Sequence, residues 1–126
     1  MSKEEKVFDL EDRLIDFAVR IVGIAESLPR TRTGNHIAGQ LVRCGTSPSP
    51  NYGEAQSAES RADFIHKMKV CLKELREIRV WLLMIARLKL TKATSELDFL
   101  INENNELISI FVSSVRTAKQ KGNKTS

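Results

Sequence analysis

Aromatic side chains are scarce, at 6% of a 126-residue chain, with one Trp, one Tyr and five Phe. Any core must therefore be mostly aliphatic, and base stacking on aromatic platforms is not an obvious resource. Cysteine is nearly absent. Cys44 and Cys71 stand alone with no CxxC spacing, which excludes a disulfide scaffold and a structural zinc knuckle. Both fall on apolar helix faces and read as small core residues in a reducing compartment. Long apolar runs are missing too. The longest, Val80 to Ala86, is far short of the roughly 20 residues that span a bilayer. The opening "MSKEEKVFDLEDR" mixes charges and lacks the apolar stretch of a signal peptide. A single cytoplasmic domain is the expectation, with no membrane partner.

Catalytic furniture is also thin. His36 and His66 are the only histidines. Neither has a second ligand at i+4, so a helical metal site of the HExxH kind is absent, and there is no glycine-rich phosphate loop. Thr46, Ser47 and Ser49 lie near Glu54, but no histidine shares the segment to act as a base. No metal, no cofactor and no enzymatic activity are expected.

What the chain has is helical periodicity. Val7, Leu14, Ile21 and Leu28 recur every seventh residue, with Leu10, Phe17 and Ile24 between them, as a bundle seam requires. Pro29 ends this helix, and Thr33 or Asn35 is placed to cap the next. A further helix is predicted from about Ser60 to Leu88, capped by Ser57 or Ser60, with the seam Phe64, Met68, Cys71, Leu75, Ile78, Leu82 and Ile85. Trp81 and Leu83 widen its apolar face beyond one seam and are candidate subunit-interface residues. The last helix follows "KLTKATSEL", with Thr94 or Ser95 as cap. It carries Leu97, Leu100, Ile101, Leu107, Ile108, Phe111, Val112 and Val115, and Asn104 sits inside the seam as a register-fixing polar residue. Residues 1–121 form the domain, and 122–126 read as a disordered polar tail.

The stretch "RCGTSPSPNYGEAQ", Arg43 to Gln56, has the composition of a loop. Yet Ile37, Leu41, Cys44, Pro48, Asn51 and Ala55 keep the spacing of one helix face through it. Three long amphipathic helices leave a fourth side open, so one second helix, kinked between Ser47 and Pro50, is predicted from Asn35 to Gln56. The competing reading stops the helix at Cys44 and leaves a loop. Asn51 and Glu54 are expected to answer the backbone groups that the prolines free, by pairing with the third helix. Glu74 reads as an ordinary helix ion-pair partner.

Charge is unevenly spread. The net charge is +4; residues 1–28 carry −3, residues 29–95 carry +7, and residues 96–126 balance at four of each sign. Lys69, Lys73 and Arg76 fall at i, i+4 and i+7 on one helix face, with Arg43, Arg61 and Arg87 as candidate extensions. A basic stripe of this kind suits phosphate contacts that are insensitive to sequence. The bland alternative is a solvated basic surface.

"QLVRCGTS" followed by "NYGEAQSAESRADFIHKMKVCLKELREIRVWL" resembles the four-helix-bundle family named after the protein encoded in intervening sequences of bacterial 23S ribosomal RNA genes. "FDLEDRLIDFAVRIVGIAESLP" and "ELISIFVSSVRTAKQK" are similar to that family's first and last helices. The resemblance covers Phe8 to Lys121 and is most specific from Arg43 to Leu82. It implies an all-α, antiparallel up-down four-helix bundle that assembles as a ring of five. It also implies a break in the second helix where Pro48 and Pro50 stand here, although a single break residue is more usual. The same fold serves as the accessory variability protein of diversity-generating retroelements, a basic pentamer that works with a reverse transcriptase and nucleic acid. For most members the activity is unassigned. The combined expectation is a non-enzymatic homo-oligomeric scaffold that binds RNA, DNA or a nucleic-acid enzyme such as a reverse transcriptase through its basic surface. The alternative is a structural protein–protein interaction module with no nucleic-acid role.

Overall fold

The computed structural model describes the backbone of residues 9–125 and the side chains of residues 9–122. It contains α1 (Leu10–Glu26), α2 (Arg32–Gly45), α3 (Pro48–Gln56), α4 (Arg61–Leu88) and α5 (Thr94–Thr125), with no strand among the described residues. α2 and α3 together make the second helix of an all-α four-helix bundle, so the kinked-helix reading holds and the loop reading does not. The bend occupies only Thr46 and Ser47, both close to helical geometry. Pro48 is the first residue of α3, where its missing N–H costs nothing and its fixed φ suits a helix start.

Polar groups at the bend are answered locally. The Asn51 side-chain amide donates to the Ser47 carbonyl at 2.9 Å and to Ser47 Oγ at 3.0 Å. Asn51 therefore closes the bend from within, and does not reach the third helix as expected. The third helix contributes a thiol donor and, as expected, a partner for Glu54. The Cys71 thiol donates to the Pro48 carbonyl at 3.5 Å, and Lys67 pairs with Glu54 at 2.8 Å.

Caps fix the remaining helix starts. Thr31, and not Thr33 or Asn35, accepts from the Gly34 N–H at 3.0 Å; the helix starts one turn earlier than its apolar pattern suggests. Ser60 caps α4 through the Asp63 N–H at 3.0 Å. Thr94 is already helical. The turn before it is held instead by Thr91 Oγ1, which accepts from the Ala93 N–H at 3.1 Å. Lys89 ends α4 in the left-handed conformation at φ 55°. α5 continues past the boundary expected at Lys121, to Thr125. Val7 lies outside the described residues.

The core is aliphatic, as the composition requires. Leu14, Phe17, Ile21 and Ile24 of α1 meet Ile37 and Leu41 of α2, then Met68, Cys71, Leu75, Ile78, Leu82 and Ile85 of α4, and Leu97, Leu100, Leu107 and Phe111 of α5. Cys44 and Cys71 are both fully enclosed, and burial pushes both thiols up to about 12, so neither is a nucleophile near neutral pH. Gly45 is buried at the end of α2, where it lets that helix close on Ile21 of α1.

Asn104 is fully buried, and its amide donates to the Leu75 carbonyl at 2.9 Å while its own Oδ1 has no partner. It fixes the register of α5 on α4 at a cost in stability. Asn104→Leu is expected to raise the unfolding free energy by about 1–2 kcal/mol, because an orphaned buried acceptor is removed. Urea melts of the two proteins check this; a loss of stability would show that the amide bond outweighs the orphaned oxygen.

Candidate nucleic-acid interface

α4 and α5 are antiparallel neighbours, so the N-terminal end of α4 and the C-terminal end of α5 share one end of the bundle. The inward seats of α4, at Met68, Cys71 and Leu75, turn Lys69, Lys73 and Arg76 outward. On α5, Val115 faces in while Arg116 and Lys119 face out. Lys69 interacts directly with the Lys119 side chain, and that contact, together with the like charge, holds the Lys119 ammonium below the ordinary lysine range. Arg61 opens α4 and lines a shallow hollow with Ala118, Lys119 and Gly122. Lys121 borders the next hollow, with Phe64 and Thr117. Past Glu106, α5 carries no acid at all, but it carries Arg116, Lys119, Lys121 and Lys124. No carboxylate pairs with Lys69, Lys73, Arg76, Arg116 or Lys119 among the described residues.

Two of the six candidate basic residues lie elsewhere. Arg43 reaches across from α2 to Glu74 at 3.5 Å and to Glu77, and is held by Gln40 at 2.9 Å. Its charge is answered, and Glu74 and Glu77 are interhelical partners rather than members of ion pairs within α4. Arg87 sits in the last turn of α4, 18 residues beyond Lys69, which is about 27 Å along the helix.

The candidate interface residues are only half exposed. The Trp81 indole N–H donates to Glu77 at 3.0 Å, and its ring meets His36 edge-on with centroids 5.8 Å apart. Leu83 is half-buried. The exposed apolar side chains of α4 are instead Val80, Met84 and Leu88.

Sequence reasoning missed Lys119, Arg116 and Lys121, because the balance of charges over residues 96–126 hid their segregation. Splitting that segment at Glu106 exposes the signal: all four acids precede Arg116, the first of its four bases. No cluster of three or more metal-ligating side chains occurs among the described residues, and no helix among them is long and apolar enough to cross a membrane.

The chain is thus an all-α four-helix bundle with a broken second helix and a basic surface shared by the start of α4 and the end of α5. The 23S rRNA-intervening sequence protein family matches residues 8–113, and the chain belongs to that family. Its fold is similar to the crystal structure of a protein of unknown function, from the S23 ribosomal protein family, of Bacteroides thetaiotaomicron. The two share 33% identity and a TM-score of 0.75 over 83% of this chain and 96% of that one. No curated protein matches the sequence.

Proposed function

We propose that this protein is a non-enzymatic, homo-oligomeric scaffold whose cationic end holds the phosphate backbone of nucleic acid. The observation that supports this reading is the crowding of Lys69 against Lys119 with no carboxylate paired to either. Two ammonium groups pressed together are relieved by a shared phosphate, and Arg61, Lys73, Arg76, Arg116 and Lys121 extend the surface. With few aromatic rings for stacking, binding is charge-driven and blind to sequence. Repeated around a ring of five, the end becomes a broad positive field that accepts RNA or DNA and, with it, a nucleic-acid enzyme such as a reverse transcriptase. Arg43 is assigned to the bundle itself, and Arg87 lies outside the field.

Neutralising Lys69 and Lys119 together, by Lys69→Gln and Lys119→Gln, is expected to weaken RNA and duplex DNA alike by about tenfold or more at low salt. The log–log salt dependence on duplex DNA should flatten by about two units, nearly one for each phosphate that is no longer neutralised. Filter binding at two salt concentrations beside a thermal melt reads both effects. An unchanged salt slope, or no affinity in the unaltered protein at low salt, overturns the reading. What then stands is a structural interaction module, which the exposed apolar side chains of Ile15 and Val19 on α1 and of Val80, Met84 and Leu88 on α4 favour.

A further inference from the structure

Five of the six large apolar side chains that the described surface exposes fall into two stripes. Ile15 and Val19 stand one turn apart on α1, with Val19 66% exposed. Val80, Met84 and Leu88 stand in successive turns on α4, with Leu88 54% exposed. The sixth, Phe99, is covered within the molecule: the Arg20 guanidinium stacks on its ring at 3.6 Å. Neither stripe has such a cover.

The two stripes carry opposite frames. Around Ile15 and Val19 lie Glu11, Asp12, Asp16 and Glu26; around Val80 and Met84 lie Lys73, Arg76, Arg79 and Arg87. None of these eight charged groups forms an ion pair among the described residues. The charges that the bundle does pair are others: Arg13 with Glu103 at 2.7 Å, Arg20 with Glu96, and Arg43 with Glu74 and Glu77.

The stripes also match in height. Arg13 fixes α1 against Glu103 of α5, and the adjacent Asn104 fixes α5 against Leu75 of α4. Both α1 and α4 run antiparallel to α5, so they run parallel to each other. Asp12 therefore stands level with the stretch from Lys73 to Arg79, and Val19 with the stretch from Val80 to Met84. Each helix reads charge first and apolar surface next, in the same direction and at the same level. α1 and α4 also occupy opposite corners of the bundle, because α1 packs on α2, α3 and α5 while α4 packs on those same elements from the other side.

We infer that a second copy of this chain docks here, with the acidic-framed α1 stripe of one copy lying parallel on the basic-framed α4 stripe of the next. Because the two surfaces are unlike and face apart, the contact is head-to-tail, and each copy keeps one free surface of each kind until the assembly closes. The inference deepens the self-association in the proposed function by naming its surfaces. It also draws Lys73 and Arg76, at the border of the phosphate surface, into the subunit contact beside Arg79 and Arg87, and leaves Lys69, Lys119, Arg61, Arg116 and Lys121 to phosphate alone.

The pairing is testable by charge reversal with mixing, followed by light scattering without nucleic acid. One variant carries Asp12→Lys and Asp16→Lys, and so presents two basic faces. The other carries Lys73→Glu and Arg76→Glu, and so presents two acidic faces. All four positions are exposed, and circular dichroism confirms that each variant is folded. Each alone is expected to assemble at least tenfold more weakly than the unaltered protein and to shift toward the 14.2 kDa single chain. An equimolar mixture should regain association into mixed complexes heavier than either variant forms alone, because each α1 face then meets an opposite α4 face. Strict alternation closes only rings with an even number of subunits, so the mixed mass corresponds to an open chain or an even ring. The inference fails if either variant assembles as tightly as the unaltered chain, if mixing restores nothing, or if the unaltered protein is a monomer at about 100 μM. Since the readout is mass alone, failure of phosphate binding leaves this result untouched. Conversely, a filter-binding result on the Lys69 and Lys119 variant stands whichever way the mixing falls.

Discussion

Gly45→Val is expected to destabilise the protein by about 3 kcal/mol, because side-chain volume is forced into a closed contact. A Cβ built at Gly45 would lie 2.4 Å from Cγ2 and 3.2 Å from Cβ of Ile21. Ile21 is fully buried, and its branched side chain is stiff at χ1, so it cannot swing aside. α1 and α2 would have to separate just before the bend, leaving the core around Leu41 and Cys44 underpacked. Gly39 of the same helix is the internal control. A Cβ there meets nothing within 4 Å, so Gly39→Ala should gain about 0.5–1 kcal/mol from helix propensity and a less flexible unfolded chain. Urea denaturation of both variants gives the comparison. Equal stabilities would mean that the helices are not held together at Gly45.

Phe111→Ala is expected to cost about 3–5 kcal/mol, the usual penalty for emptying a fully buried phenylalanine site. Phe111 is 0% exposed, and it meets Tyr52 of α3 edge-on with ring centroids 6.0 Å apart. It therefore holds the segment after the bend as Gly45 admits the segment before it. A domain of this size has about 5–15 kcal/mol of stability in all, so a loss of this order lowers the melting temperature by roughly 10 °C or more. Calorimetry measures it. A drop below about 1 kcal/mol would show that the bundle refills the space, and that the bend is not anchored by this ring.

Most of the fold was legible because it rests on periodicity. Spacing alone places Met68, Cys71, Leu75, Ile78, Leu82 and Ile85 on the seam of α4, and all six are buried. The bend was legible for the same reason: Ile37, Leu41, Cys44, Pro48 and Ala55 keep facing the core through a segment whose composition says loop. Caps were harder. Thr31, Thr33 and Asn35 are all good capping residues within one short connection, and only the chain's path selects Thr31. The site was least legible, since pairing across helices is not a local property. Arg43 looks like Lys69 in sequence, yet α2 carries it to Glu74 and Glu77. Lys119 lies 50 residues from Lys69 in sequence, and only the antiparallel return of α5 brings them together. Trp81 attracted attention by its size, although its indole is tied to Glu77 and the apolar surface open to solvent belongs to smaller neighbours.

The sorting of charge along α5 has a consequence for how the molecule moves before it touches anything. Glu96, Asp98, Glu103 and Glu106 occupy one half of a 32-residue helix, and Arg116, Lys119, Lys121 and Lys124 the other. The separation spans a large part of about 48 Å of helix length. Three of those acids are answered by α1, Glu96 by Arg20 and Glu103 and Glu106 by Arg13, so the unanswered charge of α5 is the positive C-terminal half. A charge placed far from the centre of a molecule feels a torque in a field. Near a polyanion each subunit should turn its cationic end forward during diffusion. That alignment acts only within about a Debye length, roughly 10 Å at 0.1 M salt, so added salt should slow productive encounters more than it slows collisions.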